Sequence, residues 1–299
     1  MKKKRHSSLG IRSRGEKAFD IFNIFLMILF SLQFIIPILL VINSSFTATK
    51  ELTRYGYSLI IRKFSLEYYK SIFMMESSQF VRSIFNSMVI CASTTLIMVI
   101  NTSLAAYALT RRKLQFKKFF SFYFIIPMLF GGGTIPYFLI IKNLGLINTW
   151  WALILPSGVS AWYILLVRNF FAGIPESLYE AAELDGATNV QVLFTVALPL
   201  GFPIIATIIL YTAVAVWNDW FAASLFIDSN HYNLWPIQAF IRRLEDSDEF
   251  LKAYFGNTSL NYSGIRSAAV IISLIPIVIA YPFVQKFFIK GTMSGSVKE

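Results

Sequence analysis

The chain has 299 residues, 56% of them hydrophobic, 16% aromatic and only 14% charged, whereas a soluble domain is about a quarter charged. One membrane domain over residues 1–299 is therefore expected, with no stretch left for a separate soluble core. Lys and Arg total 27 against 16 Asp and Glu, a formal charge of +11, but the cations cluster beside apolar runs, which favours a topological role and no nucleic-acid partner.

A hydrocarbon core of about 30 Å requires about 20 mostly apolar helical residues, since every backbone polar group must be paired internally. Six runs qualify, at about 21–42, 85–109, 119–141, 150–171, 199–227 and 267–288. The expected fold class is an all-α membrane protein of six transmembrane helices. The first run has a basic prefix like that of a signal peptide. Its apolar stretch is longer than the usual h-region and no small-x-small cleavage site follows, so it is expected to persist in the mature chain. Lys2, Lys3, Lys4, Arg5, Arg12, Arg14 and Lys17 precede the first run, and Arg111, Arg112, Lys113, Lys117 and Lys118 fill the link between the second and third. Cations are retained in the cytoplasm during insertion, so both segments are placed inside, and an even span count puts both termini there, in the cytoplasmic membrane. In the third run, Gly131, Gly132 and Gly133 are read as sites of close helix packing rather than as a ligand site.

Between the fourth and fifth runs lies a long segment, 168–198, which this orientation makes cytoplasmic. It reads as helix, turn, helix. Pro175 suits a first helical position, Glu176 complements the N-terminal dipole, Gly186 can take the left-handed conformation that stops a helix, and Thr188 can cap the next. Leu178, Ala181 and Ala182 make one face small and apolar, while Glu180, Glu183 and Asp185 supply charge. In the fifth run Trp217-Asn218-Asp219-Trp220 stands out, because a carboxylate inside a span is costly and faces a bundle interior, a wet cavity or a polar partner. Asp219 either lines a pathway or braces neighbouring helices. Trp217 and Asn218 can offer stacking and hydrogen bonds to a sugar, with Tyr137, Tyr107 and Trp162 as weaker candidates. The outer loop 228–266 mixes Trp235, Tyr254 and Phe255 with charges, a composition suited to a transient protein surface. The lone Cys91 and the separated His6 and His231 offer neither a disulfide, a metal site nor a catalytic pair.

Glu180-Ala181-Ala182, Gly186, Val196 and Leu198-Pro199 together resemble the EAA signature of ABC import permeases, with Val196 where the family usually has isoleucine. The resemblance implies the type I importer permease fold, with segment 168–198 as the coupling helix that docks in a cleft of the ATP-binding subunit through Glu180, Ala181, Ala182, Asp185, Gly186, Leu198 and Pro199. Asn86-Ser87, Ala105-Ala106-Tyr107-Ala108 with Arg111, the run from Gly131 to Pro136, Leu144 to Thr149 and the tetrad at 217–220 resemble the carbohydrate-uptake branch of maltose-transporter type, in particular its smaller permease. The glycine-rich third run resembles the branch that imports oligosaccharides derived from polysaccharides. The resemblance implies a second permease, two ATP-binding subunits, an extracytoplasmic binding protein and a sugar or oligosaccharide as partners. It also implies a basic, flexible tail at 289–299 that meets the ATPase through Lys290, Gly291, Ser294 and Lys298. The chain has no phosphate-cradling Gly-x-x-x-x-Gly-Lys-Ser/Thr loop, so it is expected to be no enzyme and to bind no cofactor, with ATP and Mg in the partner subunits. An importer for peptides or amino acids is the alternative, since the EAA loop is shared; a secondary transporter is disfavoured by the absence of a visible repeat.

Overall fold

A computed structural model describes residues 14–74, 79–256 and 259–295, with the side chains at 14, 16, 17, 253, 254, 280, 281 and 283–295 outside the description. The described residues form helices and one isolated bridge, between Thr47 and Phe64. They divide into two compact units, one reaching Lys70 and including Ser259–Ile271, the other Ser71–Thr258 with the residues from Ile272 onward.

In the first unit α1 (Arg14–Phe46) is apolar on all sides and carries Pro37. Its apolar window has no side chain buried in this chain, the pattern of a helix whose surroundings are supplied by lipid or another subunit. After α1 the backbone folds back through α2 (Thr49–Tyr55) to α3 (Glu67–Met74). Phe46 stacks on Phe64 and Tyr69 at 5.5 and 5.0 Å, and Ser44 donates to Ser267 at 2.8 Å.

The second unit is built on α4 (Gln79–Thr110), 32 residues long and therefore about 48 Å from end to end at 1.5 Å per residue. Against it pack α7 (Trp151–Ser157), α8 (Ala161–Ala172) and α12 (Phe202–Asn218). Polar groups on α4 have cross-chain partners. Asn86 Nδ2 donates to the carbonyls of Asn233 and Trp235 at 2.9 and 3.0 Å, and Ser87 Oγ accepts from Ile237 N at 2.7 Å. These bonds give the Asn86-Ser87 pair its physical role.

Of the six expected spans, four are single long apolar stretches: Ala18–Phe46, Gln79–Thr110, Trp151–Ala172 and Tyr262–Ile279. The other two are bent pairs. The third span is broken into α5 (Lys117–Leu129) and α6 (Thr134–Asn143), bent by 117°. The three glycines lie at this break. A Cβ on Gly131 or Gly133 would meet nothing of the described residues within 4 Å, and Gly133 has φ +81°, so within this chain they serve a change of backbone direction instead of the close packing expected of them. The fifth span is likewise preceded by an 81° bend between the stretch Asn189–Leu200 and α12, and it ends at Asn218 instead of continuing to Ile227.

Between them α9 (Glu176–Leu184) and α10 (Asn189–Val192) occupy segment 168–198, followed by a π-turn at Leu193–Ala197 and the short α11 (Leu198–Leu200). Beyond α12 come α13 (Phe221–Phe226), a 3-10 turn at Ser229–Leu234, α14 (Ile237–Asp246) and α15 (Asp248–Phe255). In α14 and α15, Ile237, Phe240, Leu244 and Leu251 face inward and are fully buried. Trp235 and Phe255, expected at a protein-binding surface, are buried with them, and Trp235 lies 6.2 Å from Phe250. Phe255 lies on the inward stripe of α15, and Trp235, between the 3-10 turn and α14, donates its Nε1–H to the Ile227 carbonyl at 3.4 Å. The side chain of Tyr254 lies outside the described residues. The last helix, α16 (Tyr262–Gly295), carries the tail as helical backbone to Gly295, since a lone Gly291 costs a helix about 1 kcal/mol without ending it. Lys298 lies outside the described residues.

Candidate functional site

Segment 168–198 forms an elbow at the C-terminal end of α4. Pro175 is the cap of α9, one position earlier than expected, with ψ 129°; its ring has no N–H to lose there. Gly186 has φ +83° and turns the chain after α9, as its residue type foretold. Thr188 caps α10 in a reciprocal box: Gln191 N donates to Thr188 Oγ1 at 3.4 Å and Thr188 N donates to Gln191 Oε1 at 2.7 Å. The π-turn follows, and its wide ring accommodates Pro199, whose pyrrolidine would strike the carbonyl of residue 195 in a regular helix. At Gly201 the chain bends into α12. A Cβ there would come within 2.3 Å of the Phe171 ring and 2.7 Å of the Ala197 carbonyl.

The inward face of α9 differs from the one expected. Tyr179 is its one buried residue and Ala182 is half-buried, whereas Leu178, Glu180, Ala181, Leu184 and Asp185 are exposed. Tyr179 enters a core cluster made by Tyr107 and Met98 of α4, Val167 and Phe171 of α8, and Ile205 and Ile208 of α12. Its hydroxyl donates to the Phe171 carbonyl at 3.2 Å. Burial, with the nearby Tyr107 and Glu176, pushes that hydroxyl up to about 12 against an opposing effect of Arg111, so it stays a proton donor at neutral pH. Beside it Arg111 pairs with Glu183, and the Arg111 guanidinium lies 5.1 and 5.6 Å from the Tyr179 and Tyr107 ring centres. Arg112 to Glu176, at 3.9 Å and well exposed, is a weaker pair. Lys117 Nζ donates to the Thr110 carbonyl at 2.9 Å, where a cation complements the helix C-terminus. Sequence reasoning missed Tyr179 and the Arg111–Glu183 pair. The signal for the first was a lone aromatic spaced three and four residues before Ala182 and Glu183.

Glu180 has no ion-pair partner among the described residues. Leu184 is 88% exposed. The outward face of the elbow thus combines small, apolar and acidic groups on a rigid support, a composition that can dock into a basic, apolar cleft.

The four candidates deeper in the bundle do not converge. Trp217 is buried, with its Nε1 unpaired among the described residues, and borders an apolar cleft of about 630 Å³ with Cys91 and Pro276. Asn218 folds back to donate to the Val214 carbonyl at 2.7 Å. Asp219 sits at the break between α12 and α13 rather than inside a helix, and its Oδ1 accepts from Ala222 N at 3.1 Å. It also borders a small cavity of about 180 Å³ with Ser157, Tyr163 and Thr212, where Thr212 Oγ1 is buried and unpaired among the described residues. Tyr137 packs edge-on against Phe226 at 5.1 Å. Tyr107 belongs to the elbow cluster, and Trp162 is 60% exposed.

At the opposite end of α4, Asp228 staples the α6–α7 connection. It accepts from Asn148 Nδ2 at 2.8 Å, Asn230 N at 3.0 Å and His231 N at 3.2 Å, contacts His231 Nδ1 at 2.7 Å, and its own N–H donates to Asn148 Oδ1. The His231 contact, with the bonds from Asn148 and Asn230, holds its carboxyl below the ordinary 3.8. A depressed value means that the staple's contribution is complete above the usual carboxylate range and is lost as pH falls through the lowered value. Hydrogen-exchange protection of the Asn230 and His231 amides, which donate to the Asp228 carboxylate, corrected for intrinsic rates, should hold from neutrality to about pH 4 and decay only below it; decay that is already complete near pH 5 would contradict the assignment.

Residues 7–293 match the protein family described as binding-protein-dependent transport system inner membrane component. The chain is 36% identical over 289 residues to the polygalacturonan/rhamnogalacturonan transport system permease protein YtcP of Bacillus subtilis (strain 168), covering 94% of this chain and 99% of the relative. It is 36% identical over 290 residues to Protein LplC of the same organism, covering 96% and 97%. Among solved structures it is similar, with TM-score 0.84 and 28% identity over 93% of this chain and 99% of the other, to a bacterial ABC transporter involved in the import of the acidic polysaccharide alginate.

Proposed function

Since this chain belongs to the inner membrane components of binding-protein-dependent transport systems, we propose that it is the smaller of two paired permease subunits in an ATP-driven importer of a sugar or oligosaccharide. It forms half of the translocation pathway and receives its substrate from an extracytoplasmic binding protein. Two ATP-binding subunits hydrolyse ATP with Mg, and the chain itself carries no catalytic or cofactor site. Both termini are cytoplasmic, from the basic segments before the first span and between the second and third. The carbohydrate reading draws on relatives whose names carry polygalacturonan, rhamnogalacturonan and alginate, which favours oligosaccharides derived from polysaccharides over peptides or amino acids. Asp219, with Trp217, Asn218 and Tyr137, belongs to the wall of the pathway, and Lys290, Gly291, Ser294 and Lys298 reach the ATPase.

The observation that carries the coupling role is the elbow: α9, held by Tyr179, exposes Glu180, Ala181 and Asp185 before the left-handed Gly186, with Leu198 and Pro199 leading back to the bundle. Glu180→Lys tests it. The change leaves α9 helical and reverses a charge on the docking face, where like-charge contact can cost several kcal/mol, so association of the ATP-binding subunits should weaken by at least about tenfold. Co-purification of those subunits with the permease pair, and ATPase stimulation by the loaded binding protein, are the measurements. Full association with full stimulation would remove the elbow from the coupling role.

A further inference from the structure

Apart from its two chain ends, α9 is joined to the spans by very little. Tyr179 is its sole buried side chain. The Arg111–Glu183 pair is the next firmest link, with side chains only 14% and 28% exposed. Arg111 is not part of the elbow. It stands just after α4, seventy-two residues earlier in the chain, and its N–H bonds back to the Tyr107 and Ala108 carbonyls at 3.3 and 3.2 Å. Its guanidinium lies beside two tyrosine rings, one from each element, whose centres are 6.3 Å apart, so one planar cation touches both members of the tyrosine pair while its fork meets Glu183. Lys113 adds a second, exposed contact to Glu183 at 3.4 Å.

We infer that Arg111 and Glu183 are positioning residues for transport, forming with Tyr107 and Tyr179 the strut through which a displacement of α9 is handed to α4. This rests on the coupling role proposed for the elbow. Beside the weak Arg112–Glu176 pair and the half-buried Ala182, a force applied at the exposed face of α9 has two main side-chain routes into the bundle. One is the Tyr179 ring in the α4–α8–α12 core. The other is the ion pair, which acts on the end of α4 itself, whereas Tyr179 is anchored mainly to α8 through its bond to the Phe171 carbonyl. Because α4 runs to the Asp228 end of the bundle, axial motion at Arg111 is carried along a single continuous helix.

The test uses the complete importer, reconstituted with its ATP-binding subunits and binding protein. Arg111→Met keeps much of the side-chain volume and removes the charge. The expected result is ATPase association within about twofold of the parent, with binding-protein-stimulated turnover and uptake both reduced at least about tenfold. Arg111→Lys, which keeps charge but loses the forked, stacked geometry, should fall between. The exchanged pair Arg111→Glu with Glu183→Arg should recover a substantial part of stimulated turnover at unchanged ATPase association and membrane level, which an effect of either substitution outside the pair would not give. If Arg111→Met fails to accumulate in the membrane, Glu183→Gln carries the same expectation. The inference is overturned if Arg111→Met or Glu183→Gln transports like the parent, if association falls in step with turnover, or if the exchange restores nothing. Glu180→Lys run in parallel separates the two readings: loss of association there with normal Arg111→Met removes the strut alone, while normal behaviour of both removes the coupling role beneath it.

Discussion

Gly186→Val should detach the ATP-binding subunits from an otherwise inserted permease. The glycine sits at φ +83° with open space around the position of a Cβ, so the obstacle is the backbone conformation and not a collision. A β-branched residue is a true outlier there and strain of this kind costs about 1–3 kcal/mol. The elbow can escape it only by turning α9 relative to α10, which moves Glu180, Ala181 and Asp185 off the docking surface. Insertion depends on hydropathy and flanking charge and should be unaffected. Gly186→Asn provides the control, because asparagine visits the left-handed region readily; it should retain most ATPase association. Equal loss in both variants, measured by co-purification at matched membrane levels, would mean that conformation is not what the glycine provides.

Gly201→Ala should be damaging for the opposite reason. Its backbone has φ −84°, open to any residue, but the added methyl would lie 2.3 Å from the Phe171 ring, which is fully buried, and 2.7 Å from the Ala197 carbonyl. Overpacking of this kind costs about 1–3 kcal/mol. It also pries apart the junction where α11 turns into α12, so uptake should fall together with thermal stability. Phe171→Leu in the same chain should return part of both, a coupling that a double-mutant cycle reads directly. Additive losses in the cycle would show that Phe171 is not the obstacle.

The apolar runs coincide with four long apolar helical stretches and two bent pairs because hydropathy is a local property, and Gly186 and Thr188 were legible because turn and cap chemistry reside in single residues. The glycines at 131–133 misled. Small side chains serve close packing and changes of direction equally well, and only the third dimension separates the uses. Trp235 and Phe255 were misplaced for a related reason: an aromatic among charges looks like surface until the inward stripe of α14 and α15 is assembled. Asp219 was recognised as costly but not as an acceptor for the first turn of α13, since its partner, Ala222 N–H, is backbone and invisible to side-chain patterns. Arg111 was assigned to topology and to the branch resemblance, without a partner. Its pairing with Glu183 crosses the whole α5–α8 excursion, a distance at which neither periodicity nor motif spacing carries information.

The bonds that join Asn86 and Ser87 to residues 233, 235 and 237 bridge separations of 147 to 150 positions. At a synthesis rate of about 5–20 residues per second, α4 leaves the ribosome about 7 to 30 s before those partners exist. During that interval an amide and a hydroxyl sit unanswered in a helix already delivered to the bilayer, where unpaired polar groups are costly. The nascent α4 must therefore wait beside the insertion machinery or against other helices rather than in open lipid. A chain cut short before residue 233 lacks all three of those partners, so its α4 keeps the Asn86 amide and the Ser87 hydroxyl without them.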